Sequence, residues 1–116
     1  MKALSVVYPG GSKIADGQKK LEIRRWHPAL GENEAVLIVE NHKFLMNEGD
    51  EDIGQAVAIV TLGQIRDFTP EDVEAACASS FEPGWLAWEI QSVRKIVAPF
   101  PVRAARKLYE VECPHL

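Results

Sequence analysis

The sequence predicts an α+β fold, a small mixed β-barrel of about six strands with one or two short helices. Three observations carry that prediction. The chain has 116 residues, enough for one domain over 1–116 with one core, and too few for two. Six segments read as strands, with β-branched and aromatic residues alternating or running together between turn residues, against one segment with clear helix signals. The longest strand segment holds Gly63 in its middle, and such a glycine suggests a bulge or bend that curves a sheet.

The elements follow in order. Residues 4–7 read as a short strand broken by Tyr8-Pro9-Gly10-Gly11, since proline fixes its backbone and glycine permits turns. Residues 12–16 suit one helical turn, with Ser12 as N-cap and Gly17 as the stop. A strand over 19–26 ends at His27-Pro28. After a loop at 30–34, AVLIVEN (35–41) is a near-continuous apolar run, which predicts a buried strand. FLMNEGDED (44–52) clusters acids; a solvated loop is preferred over an ion-binding one, because the EF-hand spacing is missing. Residues 54–67 form the longest strand segment.

FTPEDVEAACASSF (68–81) carries the helix signals: Thr69 as N-cap, Pro70 at the first position, Glu71 and Asp72 at the positive end of the dipole. Val73, Ala76 and Cys77 would be its apolar face. WLAWEIQSVRKI (85–96) is a second long strand, interrupted by Pro99 and Pro101. Residues 102–106 read as irregular or a helical turn, and LYEVE (108–112) as a final strand.

Composition narrows the function. A hydrophobic share of 47% with 26% charged residues is that of a soluble globular protein. No apolar run approaches the roughly 20 residues of a membrane helix, and the first residues lack the apolar stretch of a secretory signal. The expectation is a cytoplasmic protein beginning in its mature fold, with no membrane partner. In that setting Cys77 and Cys113 read as two thiols rather than a disulfide. His27, His42 and His115 form no ligand spacing, so neither metal nor other cofactor is implied.

Net charge is −4, which argues against wrapping a long nucleic acid. The charge is unevenly spread. Residues 1–31 sum to +4, residues 32–89 to −11 and residues 90–116 to +3. If the termini meet, they make one basic region on an acidic body, suited to a local anionic ligand.

One stretch stands apart. GQKKLEIRRW (17–26) packs charges of both signs around two aliphatic residues and ends on tryptophan. As a strand it points Leu21 and Ile23 one way and Lys20, Glu22, Arg24 and Trp26 the other, with Lys19 and Arg25 at the ends of the aliphatic face. Glu22 and Arg24 lie about 7 Å apart along one face, within salt-bridge reach. Lining a cleft, Lys19 and Arg24 can hold a phosphate or polarise a carbonyl, and Glu22 can accept from a ring amino group or act as acid or base. Trp26, Trp85, Trp88 and Tyr8 are candidate stacking platforms for a base. Trp85 and Trp88 would face opposite sides of a strand, so at most one of them lines a given cleft, and Trp88 is preferred. The plain alternative is a surface ion-pair ladder worth about 0–1 kcal/mol per pair, with the aromatics packing.

The segment LSVVYPGGSKIADGQKKLEIRRW (4–26) resembles the N-terminal signature of ASCH domains, members of the PUA-like β-barrel superfamily. Their hallmark is G-x-K-x-x-E-x-R, which Gly17, Lys19, Glu22 and Arg24 satisfy. The apolar run at 35–39, the long strand at 56–67 and the GWLAWEI segment followed by a final strand agree more loosely, so the resemblance covers nearly the whole chain. It implies a PUA-like barrel that binds RNA, a nucleotide or a modified nucleoside through Lys19, Glu22, Arg24, Trp26, Tyr8 and Trp88.

Two alternatives stand beside binding. Some small members that resemble this chain are amidohydrolases acting on N(4)-acetylcytidine, and others are linked to RNA cleavage. In the amidohydrolase pattern the motif lysine is catalytic and a threonine follows three residues later, where this chain has Glu22. That departure removes the hydroxyl. The candidates would then be Lys19 as oxyanion stabiliser or base and Glu22 as water-orienting group or acid, with Arg24 holding Glu22 ionised and Glu89 as a possible second carboxylate. The second alternative is a protein-interaction module using the acidic middle. Oligomeric state is left open.

Overall fold

The computed structural model describes residues 1–112. Cys113 and His115 lie outside the described residues. The central element is the apolar run AVLIVEN, which forms a strand whose side chains are buried on both faces, as a near-continuous hydrophobic strand requires. In chain order the elements are β1 (Lys2–Val7), α1 (Gly10–Ala15), β2 (Leu21–Arg24), β3 (Val36–Asn41), β4 (Glu51–Asp67), a 3-10 turn (Pro70–Asp72), β5 (Leu86–Ala105) and β6 (Leu108–Glu110).

The strands make one mixed sheet in the order β2-β5-β4-β3-β1-β6. β1 and β3 run parallel, and the other neighbours are antiparallel. On β1 and β3 the even-numbered Leu4, Val6, Val36 and Ile38 share a cluster with Ile14 of α1 and Trp88 of β5. The odd-numbered Ala3, Leu37 and Val39 pack instead with Ala56 and Ala104. Trp88 shares that cluster with Leu4 and Val6 although two strands separate β5 from β1, so the sheet is rolled.

The roll does not close. The expected barrel is corrected here to an open, curved six-stranded sheet. No backbone ladder joins β2 to β1; the Arg24 side chain spans the gap, donating to the Ser5 carbonyl at 2.8 Å. The edges β2 and β6 are four and three residues long. The predicted bend is present, for the β4–β5 register shifts between Leu62 and Ile65, around Gly63.

Two further expectations change. The 68–81 segment starts as predicted: the Thr69 and Asp72 side chains form a reciprocal capping box with Pro70 behind it. It then yields a single 3-10 turn and irregular turns, not an α-helix. Cys77 takes a left-handed backbone, φ 53°, which stops helix propagation. The backbone is drawn into other contacts, with the carbonyls of Ala75 and Ala76 accepting from the Lys20 amide and the Lys19 ammonium. The second concerns β5, which runs on through Pro99 and Pro101 to Ala105. Ala58 pairs with Lys95 and Ala56 with Phe100, so the extra residues, Pro99 among them, are taken up in a bulge, where a missing N–H costs no ladder bond.

The first helix forms where one helical turn was expected, but Ser12 is not its N-cap. Pro9 holds that position without a side-chain bond. Glu40 of β3 caps the turn from outside, accepting from the Ser12 amide at 2.6 Å and its hydroxyl at 2.7 Å. The close approach depends on Gly11, since a Cβ there would stand 2.8 Å from the Glu40 Cβ. In the acidic loop, Asp50 accepts from the amides of Met46 and Asn47, a turn-closing use of the carboxylate. No helix among the described residues is long and apolar enough to cross a membrane.

Candidate functional site

The unclosed seam between β2 and β1 is a cleft of about 540 Å³. One wall is β1 and the turn after it, the other is β2 with Trp26, and the β5–β6 turn completes the rim. The residues that aim side chains into it follow from local sequence. Gly17 adopts φ 77°, a left-handed value that ends α1 and that an L side chain rarely takes. The Gln18 and Lys19 amides then bond back to the Lys13 carbonyl, and β2 begins only at Leu21. Lys19 therefore escapes the strand alternation that would set it beside Leu21 and Ile23, and turns into the cleft.

Glu22 is the centre of the floor. It is only 5% exposed. Arg24 grips its Oε2 from Nε and Nη2 at 3.2 and 2.8 Å. Lys19 Nζ lies 3.3 Å from Oε1 and donates to the Ala76 carbonyl at 2.6 Å. Burial pushes the Glu22 carboxyl up, but the charges and hydrogen bonds of Arg24 and Lys19 outweigh it and hold it below its ordinary value. The cluster is thus an internal Lys–Glu–Arg triad, unlike a solvated ladder.

Of the aromatic candidates, Tyr8 and Trp26 line the cleft. Tyr8 is 55% exposed and stacks on His42, ring centres 5.0 Å apart. Trp26 is half-buried, its ring edge-on to Trp88 at 4.9 Å. Trp88 itself is 0% exposed and belongs to the core. It pairs across the sheet with Glu22, facing inward beneath the floor, where it supports Trp26 and offers no surface to a ligand. Trp85, just before β5, lines the cleft in its place, with the Arg25 guanidinium 5.5 Å from its ring centre.

Glu89 is on the other face of β5, bonded to Arg66 at 3.1 Å, and is no partner for Glu22. Lys20 also turns away, donating to the Gly17 carbonyl.

Sequence reading did not single out Asn41, Lys43, Arg106 or Lys107, all of which line the cleft. The charge segregation was the one signal, since Arg106 and Lys107 bring the basic C-terminal segment against the basic N-terminal one. Asn41 is 1% exposed. Its Nδ2 donates to the Lys43 carbonyl at 2.6 Å, while its Oδ1 has no partner, an arrangement that costs roughly 1–3 kcal/mol for a buried acceptor. Cys77, a free and exposed thiol, sits at the rim.

A family model for the ASCH domain matches residues 4–100. The chain belongs to the ASCH domain family. Its fold is also that of two solved structures of the ASCH protein ZmASCH from Zymomonas mobilis. A serine-to-alanine mutant of that protein is 12% identical, with a TM-score of 0.64 over 96% of this chain and 87% of that one. A tyrosine-to-phenylalanine mutant is 13% identical, with a TM-score of 0.58 over 85% and 73% of the two chains. At such identities the likeness is one of fold. No curated protein matches the chain. Gly17, Lys19, Glu22 and Arg24 have distinct local roles here: one turn residue, and three side chains joined in the floor.

Proposed function

We propose that this ASCH domain binds RNA or a nucleotide in the seam cleft. The observation that carries the reading is the buried Glu22 clasped between Lys19 and Arg24, in a cleft whose other charged side chains are all basic. ASCH domains are generally thought to bind RNA, and a base fits the chemistry of the floor. Glu22 can accept from an exocyclic amino group, and Tyr8, Trp26 and Trp85 supply ring faces for stacking. A cytoplasmic setting is consistent with such a ligand.

Binding is favoured over hydrolysis by the state of Glu22. A general acid must carry a proton near neutral pH, whereas the two cations keep this group a carboxylate. Its oxygens already accept three N–H donors from Arg24 and Lys19, so little basicity is left for activating water. The test is a tryptophan-fluorescence titration with ribonucleotides and short oligoribonucleotides, run beside mass analysis of N(4)-acetylcytidine after incubation. Saturable binding that weakens about 10-fold or more in Trp26→Ala, the worth of one stacked base, supports the reading. Failure of every nucleotide and RNA to bind would remove it, and loss of the acetyl group, abolished by Lys19→Ala, would replace it with the hydrolase.

A further inference from the structure

The triad is a poor place for a phosphate. Glu22 cancels one of its two positive charges, and both cations also donate to protein carbonyls, Lys19 to Ala76 and Arg24 to Ser5. An anion arriving there would have to compete with a buried carboxylate for the same N–H groups. Three other cations of the cleft are in a different condition. Lys43, from the loop between β3 and β4, and Arg106 and Lys107, from the β5–β6 turn, line it and are exposed. None of them is in an ion pair among the described residues.

Outside the cleft four cations, Lys2, Arg66, Lys95 and Arg103, each face a carboxylate. Asp50, whose carboxyl feels the charges of Lys43 and Arg106, spends its Oδ2 on the amides of Met46 and Asn47. Two of the three have local anchors. Asn41 pins the Lys43 carbonyl at 2.6 Å, and Lys107, at φ 57°, reaches to 5.9 Å from the centre of the Trp26 ring.

We infer that Lys43, Arg106 and Lys107 form a phosphate subsite at the mouth of the cleft, so that its ligand is a phosphorylated nucleotide or RNA strand rather than a free nucleoside. The inference rests on the proposed nucleotide-binding cleft and adds an orientation to it. The base enters toward Trp26 and the Lys19–Glu22–Arg24 floor, and the phosphate stays outside with the three free cations. Because none of the three is in an ion pair among the described residues, charge-assisted hydrogen bonds to an incoming phosphate break no salt bridge.

The experiment compares affinities by calorimetry for the four ribonucleosides, their 5′-monophosphates and a mixed-sequence hexaribonucleotide. The proteins are the full chain and the variant Lys43→Gln/Arg106→Gln/Lys107→Asn, with asparagine chosen because it tolerates a left-handed backbone. Arg94→Gln, an unpaired cation outside the cleft, is the control. The full chain is expected to bind a monophosphate about 10- to 100-fold more tightly than its nucleoside, the worth of one or two charge-assisted bonds. The triple variant should erase that preference and lower the salt slope of hexanucleotide binding by about 2, at roughly 0.7 per phosphate neutralised on a single strand. Arg94→Gln should change neither.

A preference that persists in the triple variant, or equal affinity for nucleoside and monophosphate, would overturn the subsite and leave the cleft intact. So would equally tight binding of a hexaglutamate peptide, which would make the cations a non-selective anionic contact. If no nucleoside, nucleotide or RNA binds, both the cleft reading and the subsite fall.

Discussion

Glu22 is an acid placed where an acid is costly, with 5% of its surface exposed, and its two cationic neighbours decide what that burial does. Removing one partner from a buried ion pair costs about 3–5 kcal/mol, because the remaining charge is left uncompensated. Lys19 and Arg24 are partly exposed, 11% and 24% by side chain, so Glu22→Gln should cost about 2–3 kcal/mol, somewhat under that range. The pH dependence has a definite sign. The folded carboxyl titrates below its ordinary value of 4.5, so between the two values the unfolded chain holds more protons. Its contribution is full above pH 4.5 and is lost as pH falls through the lowered folded value. Urea denaturation from pH 3 to 7 should therefore show a shallower acid loss for Glu22→Gln than for the full chain. Identical slopes would mean that the triad does not hold this carboxyl ionised. Asp72, also lowered by Arg66, supplies acid sensitivity that the variant retains.

At the scale of elements, what could be read in the sequence was what local chemistry controls. The apolar run of β3 had to be a buried strand, and Gly63 marked one of the β4 irregularities, the register shift between Leu62 and Ile65. The motif cluster was legible because its glycine and charges are contiguous. The 68–81 helix was overread because its capping box is real, while its small side chains bury little and its carbonyls serve Lys19 and Lys20. Trp88 was misplaced because alternation says which residues share a face, not how deep that face lies. Lys43 could not be grouped with Arg106 and Lys107, since only the rolled sheet brings their loops together. The turn at Gly17 is the element-scale device that can be tested alone. A Cβ there meets nothing within 4 Å, so Gly17→Ala pays only for the left-handed backbone, about 1–2 kcal/mol. Gly17→Asn should recover part of that in thermal denaturation, and equal losses for the two variants would show that packing, not φ, demands glycine.

For the molecule as a whole, the seam that makes the cleft is also where the sheet is held without a backbone ladder. Ser5 is its fastening. Its carbonyl takes the Arg24 guanidinium from β2. Its hydroxyl meets Tyr109 Oη of β6 at 2.8 Å and accepts from the Ala105 amide of β5 at 3.2 Å. Three strands thus converge on one residue of β1, through side-chain bonds that water can replace more readily than a ladder. By contrast β3 is paired on both sides and buried on both faces. Hydrogen exchange should rank accordingly, slowest for the amides of Val36–Asn41 and fastest for those of β2 and β6, since edge elements with few ladder bonds open below the global unfolding energy. Ser5→Ala keeps the carbonyl and removes both hydroxyl bonds. It should cost about 1–2 kcal/mol for two lost hydrogen bonds and accelerate exchange at Ala105, leaving the protection of β3 in place. If Ala105 and the β3 amides instead accelerated together, the seam would open only with the whole sheet, and the cleft would be as rigid as the core.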